Sequence, residues 1–203
     1  MKKTLEQYRI GKCVGGSQDW FEDMWMNRGG CGAVTACECC IYLARQRGLT
    51  ELYPFDAMNV TKGDFIAFGM QMKPFLSPRP RGINTTALFI EGFRAYLATR
   101  KGPVPALSGF QGSRDADEAA AVIRAQLDRG LPIPYLMLLH QDKALEDFFW
   151  HWFMLDGYDE TDGRLMVRAF TYGETAWFDF GNLWDTGHEE KGGFVLLSLD
   201  PEA

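Results

Sequence analysis

The sequence lacks the features that would direct the chain to a membrane, to nucleic acid or to an export pathway. Nowhere in its 203 residues do 18 apolar residues run together, so no segment is expected to span a bilayer. The opening Met1-Lys2-Lys3-Thr4-Leu5-Glu6-Gln7 is basic, but no apolar stretch follows it, and it is not expected to act as a secretory signal. Lysine and arginine number 21 against 27 acidic residues, and a net charge of −6 argues against nucleic acid as a partner. There is no disulfide framework: the cysteines number five, an odd count, and four crowd between positions 31 and 40, which suits a reducing cytoplasm. Histidine is scarce, at three residues. No paired Cys-x-x-Cys or nearby histidine completes a metal site around Cys37-Glu38-Cys39-Cys40, so these are expected to be core and rim thiols, with no metal and no cofactor. Ile10–Gly16 lacks the spacing and the Lys-Ser/Thr ending of a phosphate loop. Repeats, linkers and low-complexity tracts are missing too, so a single domain over 1–203 is expected.

What is present is an ordinary globular composition, 46% hydrophobic and 24% charged, which argues against disorder. One stretch stands out: Gly29-Gly30-Cys31-Gly32-Ala33-Val34-Thr35-Ala36. From Ala33 the apolar residues Val34, Ala36, Cys37, Ile41 and Ala44 recur at helical spacing, and Gly48 suits a helix end. Cys31 is thereby placed at a helix N-terminus, where unpaired N–H groups and the macrodipole favour a thiolate and lower the thiol pKa. The neighbouring glycines admit a substrate's backbone.

Before this helix, residues 1–30 read as mostly irregular, with Cys13 a loop thiol. After it, helical patterns cover 62–73 and 85–99, separated by the proline-rich inter-helix loop 74–82, with the Met70/Met72 pair as packing. A short strand is expected at 104–110 and a helix at 116–128. From there the runs 133–139, 149–155, 165–170, 176–180 and 194–199 are strand-like. A helical first half followed by a second half of strands indicates α+β with an antiparallel sheet.

The run Phe149-Trp150-His151-Trp152-Phe153-Met154-Leu155 is apolar on both alternating faces and reads as a central strand buried on both sides. A histidine there needs a hydrogen-bond partner. Beside a helix-mounted cysteine, its imidazole can take the thiol proton and later protonate a leaving group. Pairing across the turn Thr161-Asp162-Gly163, with positions summing to about 323, brings Thr171 or Tyr172 opposite His151. Thr171 is the candidate to orient the imidazole, with Asp179 and Asn182 as later alternatives. His140 ends a strand and is expected to be solvated there, or else to lie beside His151; His188 reads as a solvated loop residue. For an oxyanion hole, the backbone N–H of Cys31 is one donor, and Gln18 and Asn27 are the nearest upstream amides.

Gly30-Cys31-Gly32-Ala33 together with His151-Trp152-Phe153-Met154-Leu155-Asp156-Gly157-Tyr158-Asp159 resembles the papain-like cysteine peptidases, in particular the bacterial double-glycine leader peptidases of bacteriocin exporters. The resemblance covers nearly the whole chain. It implies a papain-like fold, helices first and sheet second, with Cys31 as nucleophile and His151 as base. The family typically carries an Asp or Asn on the strand after the histidine; the corresponding Arg168-Ala169-Phe170-Thr171-Tyr172-Gly173 has neither. Where the family often has Gln, six residues before the cysteine, this chain has Trp25.

The expected function is that of a thiol hydrolase, most simply a cysteine peptidase, acting on a peptide or small amide through a Cys31–His151 thiolate–imidazolium pair and an acyl-enzyme. Acyl transfer and deamidation need the same thiolate. A non-catalytic binding module on the same fold is the alternative, supported by the missing carboxylate.

Overall fold

Most of the helix lies in the first half of the chain and most of the strand in the second, as the hydrophobic periodicities require. The computed structural model describes residues 1–161 and 163–199. In chain order these form β1 (Lys2–Thr4), β2 (Arg9–Ile10), β3 (Cys13–Val14), a 3-10 turn (Gln18–Trp20), α1 (Met24–Gly29), α2 (Cys31–Arg47) and a second 3-10 turn (Thr50–Leu52). Next come α3 (Lys62–Met72), α4 (Thr86–Leu97), β4 (Ala106–Gln111), α5 (Ala116–Asp128), β5 (Ile133–Met137) and a third 3-10 segment (Lys143–Phe148). The chain then runs through β6 (His151–Thr161), β7 (Arg164–Thr171), β8 (Glu174–Asp179), α6 (Phe180–Trp184) and β9 (Gly193–Ser198).

Seven strands build one antiparallel sheet in the order β4-β9-β5-β6-β7-β8, with β1 paired to β6. Because β7 runs along one edge of β6, β5 and β1 share the other: β5 pairs with His151 to Leu155, β1 with Gly157 to Asp159. The sheet therefore recruits the first residues of the chain, and the first 30 residues are more ordered than an irregular lead-in. They hold β1, the β2–β3 ribbon and α1, and Cys13 lies in that ribbon rather than in a loop.

The first fourteen residues of α2 are all buried. A helix apolar on every side belongs inside a domain, and here β6 and α3 pack against it. Its small residues, Gly32, Ala33, Ala36 and Ala44, allow that close approach. The exception in composition is Glu38, whose carboxylate accepts 2.7 Å hydrogen bonds from the Tyr8 hydroxyl and the Gly16 N–H. One buried acid thus ties the N-terminal segment onto α2. Cys37, Cys39 and Cys40 are all buried, so none is a rim thiol, and Cys39 Sγ lies 3.8 Å from Met154 Sδ. Among the described residues no three His, Cys, Asp or Glu side chains are grouped to hold a metal ion.

Three expectations along the sheet are corrected. The run 149–155 is not strand throughout: Trp150 is exposed and takes a left-handed φ of 53°, so β6 begins only at His151. The run 133–139 stops at Met137: the Trp150 N–H still donates to Leu138 O in the β5–β6 register, but the left-handed Trp150 ends the extended pairing there. The β6–β7 register also differs. Pairs sum to 325 near the turn (Gly157↔Arg168) and 324 beyond it (Leu155↔Ala169), because a bulge at Asp156 inserts one residue. The buried Asp156 carboxylate is held there by Arg168, with Nε at 2.7 Å and Nη2 at 2.6 Å. Asp162 of the expected turn lies outside the described residues. No helix among the described residues is long and apolar enough to cross a membrane.

Candidate active site at the start of helix α2

Two helices meet head to tail at Gly30. Its N–H donates to Met26 O at 3.0 Å to close α1, and its own carbonyl accepts from Val34 to open α2. A Cβ on Gly30 would lie 2.4 Å from Met26 O, so only glycine permits so short a junction. The cap makes no side-chain hydrogen bond, which leaves the first N–H groups of α2 without a side-chain acceptor. Cys31 is the first residue of that helix, buried to 6% exposure. Gly32 beside it packs on Ile83 and on the indole of Trp152, and the Trp152 Nε1–H donates to Ile83 O at 2.5 Å. The chain following the 74–82 loop therefore lies against Gly32, next to the cysteine in sequence, and Pro78 of that loop faces Gly29.

The thiol does not show the lowered pKa expected of a helix N-terminus. Burial pushes Cys31 up, while the backbone N–H groups of Trp152, Gly32 and Cys31 itself work in the other direction. Desolvation of the thiolate outweighs the helix terminus. The Trp152 interaction also places the sulfur at the backbone of the residue next to His151.

His151 begins β6, paired with Met137 of β5, and is buried to 4% exposure. Its Nε2 lies 2.8 Å from Thr171 Oγ1. Tyr172 lies flat against the imidazole, ring centroids 4.7 Å apart and planes 7° from parallel, with its hydroxyl 3.4 Å from Nδ1. Thr171 and Tyr172 thus both reach the imidazole, although not as simple cross-strand partners. The bulge shifts the register, and Tyr172 arrives from the turn between β7 and β8. Burial holds the His151 pKa down at about 4, so the ring is neutral. A hydroxyl accepts a hydrogen bond but brings no negative charge to stabilise an imidazolium. The thiol of Cys31 and the imidazole of His151 are accordingly both neutral.

The alternative orienters lie elsewhere. Asp179 caps α6 through the Asn182 N–H at 2.9 Å, and the Asn182 side chain donates to Asp142. His140 is buried, not solvated, and both its nitrogens are engaged: Nδ1 accepts the Asp142 N–H and Nε2 meets Asn182 O, each at 2.8 Å. His188 is exposed, as its loop position predicts.

Gln18 and Asn27 hold the segment leading into Cys31. Gln18 Nε2 donates to Asn27 O at 3.0 Å, and Asn27 Nδ2 donates to Asp19 O at 3.3 Å. Gln18 is the buried one of the two, and its Oε1 has no partner among the described residues. A cavity of about 260 Å³ is lined by Phe148, Thr171, Tyr172 and Thr175, and one of about 320 Å³ by Asn84, Thr85 and Leu138; the lining of neither includes Cys31 or His151.

Sequence reasoning brought Tyr172 opposite His151 but missed that it sits in a turn, and it missed Glu38 as an anchor. The Tyr172-Gly173 pair between two strand-like runs carries the x-Gly signature of a two-residue hairpin. Glu38, a lone acid in a helix otherwise apolar on every side, signals a buried polar anchor. In comparisons with known proteins, no family model matches the chain, and no curated protein or solved structure is significantly similar to it.

Proposed function

We propose that the chain is a thiol hydrolase of papain-like type, most simply a cysteine peptidase, with Cys31 as nucleophile and His151 as base. The observation that carries this is the state of the imidazole. Nε2 is tied to Thr171 at 2.8 Å, which leaves Nδ1 with only a long contact and therefore free to take a proton. With Nε2–H donating to Thr171 Oγ1, the lone pair is on Nδ1, the tautomer a base at that nitrogen requires.

As a substrate carbonyl arrives, Nδ1 takes the Cys31 proton while sulfur bonds to the carbonyl carbon. The oxyanion is held by the Cys31 N–H, with Gln18 as side-chain donor candidate through its second N–H. The imidazolium then protonates the leaving amine, and the acyl-enzyme is hydrolysed by water that His151 deprotonates. The neutral resting pair places the charge separation within the catalytic cycle, when substrate excludes water and supplies the acyl carbon. A reducing compartment such as the cytoplasm keeps Cys31 a thiol, and all five cysteines are free.

The test is site-resolved alkylation of Cys31 by iodoacetamide or an epoxide across pH, in wild type and His151→Ala, with the partly exposed Cys13 as internal reference. Faster labelling of Cys31 than of Cys13, lost in His151→Ala, supports the reading. A Cys31 profile indifferent to His151 replaces it with the binding module.

A further inference from the structure

Tyr172 occupies a backbone position that its side chain does not favour. Thr171 pairs with Glu174, so β7 and β8 are joined by the two residues Tyr172 and Gly173, with φ of 53° and 79°. Two successive positive φ values define the type I′ hairpin turn, in which asparagine, aspartate or glycine is favoured at the first position. A bulky residue there is an outlier whose cause must be sought in what its side chain touches. The turn is held from behind: Val14 N–H donates to Gly173 O at 2.8 Å, and Cys13 Sγ fills the space a Cβ on Gly173 would need. In front, the phenol lies on His151, its hydroxyl at Nδ1, and it faces Cys31 of α2, Asp19 of the Gln18–Trp20 turn and Asp147 of the Lys143–Phe148 segment.

We infer that Tyr172 is a positioning residue for His151: the strained turn presses its ring onto the imidazole, fixing the ring plane, excluding water from it and covering Nδ1 until substrate enters. This rests on the reading of His151 as the base. Thr171 holds one nitrogen and the tyrosine face holds the plane, so the imidazole is located without a carboxylate. The hydroxyl contact at 3.4 Å is long enough to be displaced by a thiol or a substrate group.

The test uses Tyr172→Asn, which suits the turn and removes the ring, Tyr172→Gly as a second turn-compatible variant, and Tyr172→Phe, which keeps the ring. The first readout is the NMR titration of the His151 ring protons, assigned by their loss in His151→Ala. Water admitted to the imidazole favours the charged form, so the titration midpoint is expected to rise from about 4 by more than about one pH unit in the Asn and Gly variants. The pH profile of Cys31 alkylation is expected to move in the same direction, while both variants remain folded. Tyr172→Phe is expected to keep the wild-type midpoint. If the Asn or Gly variant folds with the His151 midpoint unmoved, Tyr172 only fills a turn and the inference is overturned. If instead His151→Ala leaves wild-type Cys31 alkylation unchanged, it is the base assignment that fails, and the imidazole titration still judges Tyr172.

Discussion

His140 and His151 sit near the same end of the sheet, at the close of β5 and the opening of β6, and each is buried to 4% exposure. Burial does not distinguish them; the saturation of their nitrogens does. His140 has both nitrogens in 2.8 Å hydrogen bonds to backbone groups, closing the loop that leads to Asp142 onto α6. His151 has one nitrogen so engaged, and the other meets only a tyrosine hydroxyl at 3.4 Å. The first is a structural cross-link, and the second keeps one nitrogen in reserve without a short hydrogen bond. A buried histidine is therefore best read by counting what its two nitrogens still lack.

The largest effect should come from removing the reserve. His151→Ala is expected to slow Cys31 alkylation at neutral pH by about 10²- to 10⁴-fold, the usual contribution of a general base. His140→Ala, assayed where it is folded, should leave that rate within a few-fold, and a comparable loss there would erase the distinction.

Stability against pH provides the second comparison. His151 is neutral in the fold down to about pH 4, whereas in the unfolded chain it protonates near 6.5. The unfolded state thus binds more protons between these values, and stability falls as pH drops from 6.5 towards 4, by up to about 3 kcal/mol. Glu38 has the opposite sign, since burial raises its pKa from 4.5 to about 7. Its contribution is complete below pH 4.5 and is lost as pH rises through 7. The two windows overlap between pH 4.5 and 6.5, where the opposite contributions offset each other, so urea midpoints of the wild type should change little there. His151→Ala should unmask a fall in midpoint as pH rises towards 7, and Glu38→Gln a fall as pH drops towards 4; variants as flat as the wild type would remove both assignments.

His140→Ala should itself cost about 1–3 kcal/mol in urea unfolding, because the Asp142 N–H and the Asn182 carbonyl are left without their partner. The smallest expected effect is that of Thr171→Val, which keeps the shape and removes the acceptor. A loss of about 1 kcal/mol of orientation corresponds to a five- to tenfold slower alkylation. An unchanged rate would leave His151 held by Tyr172 alone.

Much of the site is legible as sequence because its signals are local. Glycines before a helical pattern placed Cys31 at the head of α2, and a long apolar run placed His151 on an inner strand. Less legible was whatever depends on register and burial. The bulge at Asp156 follows from a carboxylate meeting Arg168 on the next strand, and it sends Tyr172 to the imidazole from a turn. The state of the thiol was misjudged for a related reason: the helix terminus is visible in the sequence, but the burial of Cys31 is not.

By itself the sequence determined the alternation of helix and strand, the α+β class and the places of Cys31 at a helix start and His151 on an inner strand, since periodicity and capping act over a few residues. Only the tertiary structure decided that β1 joins the sheet, that His140 is saturated while His151 is not, and that thiol and imidazole rest uncharged. Those outcomes are set by desolvation and by hydrogen bonds between segments far apart in the chain, and neither acts until the segments have packed.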